Sequence, residues 1–133
     1  MNTDELVSRY RAGERDFGSA FLAGVNLSGV DLSGIMLRKA NLRFASLRQA
    51  NLTDADLSEA DPYEANLQGT VLRNANLTSA ILWRAEPLDA RLEGANLQDA
   101  RIASRQLSRA ASLAGAIMPD GQGTNQRDGT CPG

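Results

Sequence analysis

Leucine, or a residue standing in for it, returns every five residues from Phe17 to Leu107. The series runs through Leu22, Leu27, Leu32, Leu37, Leu42, Leu47, Leu52, Leu57, Leu67, Leu72, Leu77, Leu82, Leu92, Leu97 and Ile102, and only Pro62 and Pro87 break it. Two residues before each centre the side chain is small: from Ala20 to Ala100 in steps of five, every position is Ala except Val25, Val30, Ile35 and Thr70. A fixed period sustained over most of a chain dictates an architecture before any local propensity does. This one excludes a helix, because residues five apart fall about 500° apart on the wheel and circle the axis instead of forming a stripe. It also excludes a flat strand, whose period is two while five is odd.

A chain that turns a corner every five residues satisfies the pattern, sending the centre and the preceding small residue inward from each side. The stretch Ala40 to Glu59 shows the unit plainly as ANLRF, ASLRQ, ANLTD, ADLSE, with a small polar residue usually second. These blocks closely resemble the pentapeptide-repeat proteins, whose A-(D/N)-L-X-X units form a right-handed quadrilateral β-helix, and the resemblance covers roughly residues 16 to 119. It implies an all-β solenoid of about five 20-residue coils; at about 4.8 Å per coil the rod is near 25 Å long. The ending ASLAGAIMPDG is similar to the closing blocks of cyanobacterial members.

The expected organisation is an N-terminal capping α-helix in residues 1–14, the β-helix over 15–119, and a flexible tail over 120–133. Asn2 is placed to cap the helix with Glu5 three residues on, Gly13 closes it, and Leu6, Val7 and Tyr10 share the face that packs on the first coil. After Leu107 the phase slips: the centres become Leu113 and Met118, so one extra residue is expected near Arg109 or Ala110, as a bulge at a corner. Each open end of such a coil is an unpaired edge, which gives terminal caps a physical purpose. Pro62 and Pro87 each remove one rung of the ladder. Either the missing donor had no partner, or the coil is locally distorted.

Composition removes several function classes. The chain of 133 residues has a net charge of -2 and no His, and its single Cys131 lies in the tail. A near-neutral chain argues against a nucleic-acid partner bound through its phosphates. Without His, and with one isolated Cys, the usual nucleophilic and metal constellations are missing, so no enzyme, cofactor or metal is expected. No signal-peptide pattern or membrane-length apolar run is present, and the expectation is a soluble, cytoplasmic protein with no membrane contact.

The acidic run Asp54, Asp56, Glu59, Asp61, Glu64 follows the basic run Arg38, Lys39, Arg43, Arg48. Residues 20 apart stack on adjacent coils, which sets Lys39 beside Glu59, Glu64 beside Arg84 and Arg73 beside Glu93. The runs then read as cross-coil pairs on a solvated face.

The same arithmetic collects an aromatic column. On the side centred on Leu22, Leu42, Pro62, Leu82 and Ile102, the outward residue after each centre is Ala23, Arg43, Tyr63, Trp83 and Ala103. Arg43, Tyr63 and Trp83 are expected to form a ladder with Phe44 at the adjacent corner, which makes Arg43, Phe44, Tyr63 and Trp83 the candidate partner-binding residues. Such a ladder either stabilises its own face through cation-π contacts and stacking or binds something.

The leading functional reading is a non-enzymatic rod presenting one face to an unidentified protein partner or to a second copy of itself. The alternative comes from the resemblance: some members mimic duplex DNA and modulate DNA gyrase and related topoisomerases. The near-neutral charge and the absence of long inserted loops depart from that pattern.

Overall fold

The computed structural model describes residues 1–123. The repeat region is a right-handed quadrilateral β-helix. Successive coils are joined by parallel bridges between residues twenty apart, one per side, as in Asp16 with Met36, Phe21 with Asn41, Asn26 with Ser46 and Asp31 with Asn51. Each side is named here by its first centre, Phe17, Leu22, Leu27 or Leu32, and coils run upward from the N-terminus.

Each block makes one side and one corner. The N–H of the centre donates to the coil above, as from Leu22 to the Asn41 carbonyl at 2.8 Å, and its own carbonyl accepts the N–H three residues on, as from Val25 at 3.2 Å. The second bond closes a turn whose third residue takes a left-handed conformation. Gly24 does so at no steric cost (φ 70), whereas Lys39, Phe44 and Gln49 carry side chains there at φ 61, 61 and 58. The preference for Asn or Asp in second place also finds its cause. Its Oδ1 accepts the N–H two residues on, a donor facing away from the ladder, as in Ser28 to Asn26 (3.0 Å), Arg43 to Asn41 (3.1 Å) and Gln68 to Asn66 (2.9 Å).

The column inside is aliphatic and closed. Centres from Phe17 to Leu97 are buried, and so are the Ala residues that precede them from Ala40 onward. Small residues fill the second inward position because a thin column has room for one large side chain per block. Thr70 is buried among them, and its Oγ1 donates to the Leu47 carbonyl at 2.7 Å.

At the lower end, helix α1 (Thr3–Arg11) lies across the first coil. Asn2 caps it by accepting the Glu5 N–H at 2.8 Å, and Gly13 ends it at φ 105 with its N–H on the Tyr10 carbonyl. Its Leu6 is fully buried. The first coil has no coil beneath it, and α1 with the residues leading into it supplies donors to the carbonyls left open there: the Met1 amino group to Phe21 (3.2 Å), Thr3 Oγ1 to Asn26 (2.8 Å) and Tyr10 Oη to Ser33 (2.6 Å). The edge is thus both covered and hydrogen-bonded.

The upper coil leaves the regular path. Residues Ser104–Leu107 form a single helical turn, α2, instead of a side of the coil. Bridges twenty apart persist to Ile81 with Arg101 and become twenty-one apart at Arg91 with Ser112. The Ala90 carbonyl takes the N–H of Ala111 while the Leu92 N–H goes to the carbonyl of Ser112, so two residues face one at that point. The helical turn is the feature the block pattern does not announce, because Leu107 keeps its phase and its burial. Met118 to Gly123 then fold back, with Ile117 and Gly123 in an antiparallel bridge. The remainder of the expected tail, with Cys131, lies outside the described residues.

The prolines differ from each other. Pro62 is buried at its centre, and the bridge between Asp61 and Ile81 is missing, yet its neighbours hold: Ile81 N–H to Ala60 at 2.9 Å and Glu64 N–H to Trp83 at 3.1 Å. Pro87 sits beneath α2, where the residue that would have paired with it, Gln106, is in the helical turn.

Candidate partner-binding face

The Leu22 side brings together three of the four residues that the sequence singles out. The ring of Tyr63 is held from the coil below by two of them. Arg43 places its Cζ 5.0 Å from the ring centroid, and Phe44 meets the ring edge-on, with centroids 6.1 Å apart and planes at 87°. Arg43 is itself fixed by Asp61, with Nε 3.0 Å from Oδ2. A cation over the ring face and an aromatic edge are the two contacts that an aromatic quadrupole favours.

Trp83 does not join them. Its backbone carbonyl accepts the Glu64 N–H, but among the described residues its indole has no ring or cation contact, and it is 43% exposed. The expected continuous ladder is therefore corrected: Tyr63 turns toward Arg43 and Phe44 on the coil below, and the indole above it is left open.

Two residues of this side escape the column arithmetic. Phe21 and Ile81 precede their centres and point outward; Phe21 is 65% exposed and Ile81 half-buried. They occupy the second block position, where Asn41 and Asp61 on the same side use their carboxamide or carboxylate to bind the N–H two residues on. Scanning that position for apolar residues would have found both. Phe21, Phe44, Tyr63 and Trp83 are all of the chain's aromatics outside the column and α1. They share one side of the rod or its corner.

Electrostatically this face is balanced. Arg43 pairs with Asp61, and Arg84 with Glu64 at 3.0 Å. The three pairs expected from the twenty-residue spacing are present, with Lys39 to Glu59 at 3.8 Å, Arg73 to Glu93 at 3.6 Å, and the Arg84 to Glu64 pair already described. Such exposed pairs are worth about 0.2–1 kcal/mol each and set register more than stability. Arg91 adds a pair within its own block, and its hydrogen bond holds the Glu93 carboxyl below the usual carboxylate range. Among the described residues no group of acidic, Cys or His side chains could hold a metal ion, and no helix is long and apolar enough to cross a membrane.

Comparison with known proteins agrees with the geometry. No curated protein sequence matches the chain. The family described as Pentapeptide repeats (8 copies) matches over residues 16–54, 37–74, 45–84 and 55–99. Among solved structures, the chain is similar to HetL, a pentapeptide repeat protein involved in heterocyst differentiation regulation from the cyanobacterium Nostoc sp. strain PCC 7120. The two are 34% identical over 87% of this chain and 46% of HetL, with a TM-score of 0.46, so the chain spans less than half of that relative. It is 40% identical to alr5209, a pentapeptide repeat protein from Nostoc PCC 7120, over 71% of this chain and 80% of that one, with a TM-score of 0.43. It shares its fold, at 18% identity and a TM-score of 0.50 over 77% of this chain and 57% of the other, with QnrB1, a plasmid-mediated fluoroquinolone resistance protein. A matched region that runs from Asp16 to Asp99, on a four-sided coil with a five-residue period, makes the chain a member of the pentapeptide-repeat family.

Proposed function

We propose that this protein is a non-enzymatic interaction rod whose Leu22 side binds a protein partner through Phe21, Arg43, Phe44, Tyr63, Ile81 and Trp83. The observation that carries this reading is the gathering of the exposed Phe21, Phe44 and Trp83, with Tyr63 between them, on one side of the rod or its corner. Phe44 holds a left-handed corner at φ 61, a conformation that is costly for a bulky residue, while staying 57% exposed. Phe21 gives up the local hydrogen bond that Asn or Asp makes at its position. Places where a chain departs from its own local pattern, as at Phe21, fall preferentially at functional sites. Large aromatics beside an Arg have the composition of binding hot spots.

The test is co-purification from the native host with light scattering, comparing the wild-type chain with a Tyr63→Ala, Trp83→Ala double variant whose folding is checked by circular dichroism. The wild type is expected to retain a partner that the folded double variant loses. Unchanged partners and unchanged mass would make the cluster a purely structural device, and a mass shift without other proteins would make the occupant a second copy. In a gyrase supercoiling assay with a quinolone, protection at micromolar protein would replace this reading with the topoisomerase one. The balanced charge of the face favours no such effect.

A further inference from the structure

The position two residues before a block centre points into the column and carries a small or aliphatic side chain or Thr at every block from Ala20 to Ala100, and Arg15, which precedes the first centre, turns instead onto Tyr10 of α1. At the block after Ala100 that position is Arg105. A coil continued in register would bury this guanidinium in an aliphatic column with no carboxylate to meet it. The chain instead turns helical at Ser104–Leu107, and Arg105 is exposed.

That turn leaves a shallow cleft, wide open to solvent, of about 460 Å³ between α2 and the coil beneath, lined by Arg84, Glu86, Arg105, Gln106 and Arg109 among others. Gln106 fixes its wall: Oε1 accepts the Ala103 N–H at 2.8 Å, and Nε2 donates to the carbonyls of Leu82 at 2.8 Å and Ala85 at 2.9 Å. Arg109 grips Glu86 with both prongs of its fork, Nε to Oε2 at 2.9 Å and Nη2 to Oε1 at 2.7 Å. Arg84 reaches out to Glu64 on the neighbouring coil. The Arg105 carbonyl accepts the Ser108 hydroxyl at 2.7 Å, but its guanidinium has no hydrogen bond or ion pair among the described residues. Three guanidinium groups therefore line the cleft with one carboxylate, and one of the three is unspent.

We propose that this cleft receives a carboxylate side chain from an acidic segment of the partner protein, with Arg105 as its main contact and Arg84 and Arg109 flanking it. The proposal rests on the reading of the Leu22 side as the partner face and deepens it. Glu86 in the fork of Arg109 shows that the cleft suits a carboxylate, the planar group a guanidinium holds bidentately. Trp83 directly precedes Arg84, at the corner where the Leu22 side meets the cleft. A peptide anchored on Arg105 can lay its apolar neighbours on that indole.

The probe is a blocked hexaglutamate peptide, read by the fluorescence of Trp83, the chain's single Trp, and by the side-chain Nε–H signals of arginine in heteronuclear NMR. The expected result is a saturable response that shifts the Arg105 signal and weakens about tenfold in Arg105→Gln, with no response to hexalysine. Inorganic phosphate and acetate at equal concentration are expected to act far more weakly. The proposal is overturned by a hexaglutamate titration without saturation, by equal binding to a folded Arg105→Gln variant, or by inorganic phosphate matching the peptide, which would leave a general anion site. A host partner retained by Arg105→Gln but lost by the Tyr63→Ala, Trp83→Ala variant would overturn the cleft and spare the face.

Discussion

Arg43 sets its guanidinium 5.0 Å above the ring centroid of Tyr63, a residue twenty positions later and one coil higher. The contact exists because the coil brings every twentieth residue into register, and because Asp61, two residues before Tyr63, anchors the same guanidinium at 3.0 Å. Phe44 completes the cluster from the adjacent corner. The cluster is thus built by coil geometry from residues far apart in sequence, while Trp83 stands outside it.

This arrangement ranks three substitutions. Tyr63→Ala removes a cation-π contact, an aromatic edge contact and a half-buried ring, and is expected to cost about 2 kcal/mol. Phe44→Gly loses the edge contact but relieves a left-handed side chain, so the cost is about 1 kcal/mol or less. Trp83→Ala, with no ring partner, is expected to cost about 0.5 kcal/mol. Urea unfolding midpoints of the three variants check the order. A Trp83→Ala cost equal to that of Tyr63→Ala would restore the continuous ladder.

The period of five made the fold legible, since it leaves only a chain that turns at every block, and the spacing of twenty made the pairs of Lys39 with Glu59, Glu64 with Arg84 and Arg73 with Glu93 legible as well. Two things were harder to read. The direction in which Tyr63 leans depends on rotamers, which periodicity does not set. The helical turn at Ser104–Leu107 hides behind Leu107, which stays in phase and buried. Its signal is Arg105, a charge at an inward position, with Pro87 one coil below lacking the N–H that a regular side above it would have bonded.

Pro62 offers a test of the ladder itself. The rung between Asp61 and Ile81 is the one it removes, and the bonds on either side are intact. Pro62→Leu puts the usual centre residue back with a donor facing the Ile81 carbonyl. The gained hydrogen bond, about 0.5–1.5 kcal/mol, exceeds the unfolded-state entropy that proline removes, about 0.4–1 kcal/mol. The expected outcome is a slightly more stable protein whose new amide at position 62 is protected from hydrogen exchange. An amide that exchanges freely would mean the coil is held apart at that point.

The cap is testable through Leu6, which is fully buried between α1 and the first coil. Leu6→Asp buries an unpaired carboxylate and should release the helix, baring the carbonyls of Phe21, Asn26 and Ser33. An exposed coil edge is a template for another chain, so light scattering is expected to show concentration-dependent association that the wild type lacks. A variant that remains at wild-type mass over the same concentrations would show that the edge needs no cover.

The pH dependence of stability follows from two carboxylates and a missing residue type. Hydrogen bonds from Arg91 hold the Glu93 carboxyl below its ordinary value, and hydrogen bonds from Arg9 do the same for Glu14. A carboxylate with a depressed folded-state pKa contributes stability that is fully present above its unfolded value, about 4.3, and is lost as pH falls through the folded one. The chain has no His, so no side chain of ordinary pKa titrates between about pH 5.5 and 7.5. Thermal unfolding midpoints are therefore expected to be level across that range and to drop below about pH 4. Glu93→Gln is expected to lower the plateau and flatten the acid limb, because it deletes one of the groups whose protonation drives the loss. A wild-type midpoint that slopes between pH 7.5 and 5.5, or a Glu93→Gln curve parallel to wild type through the acid limb, would assign the acid sensitivity to other groups.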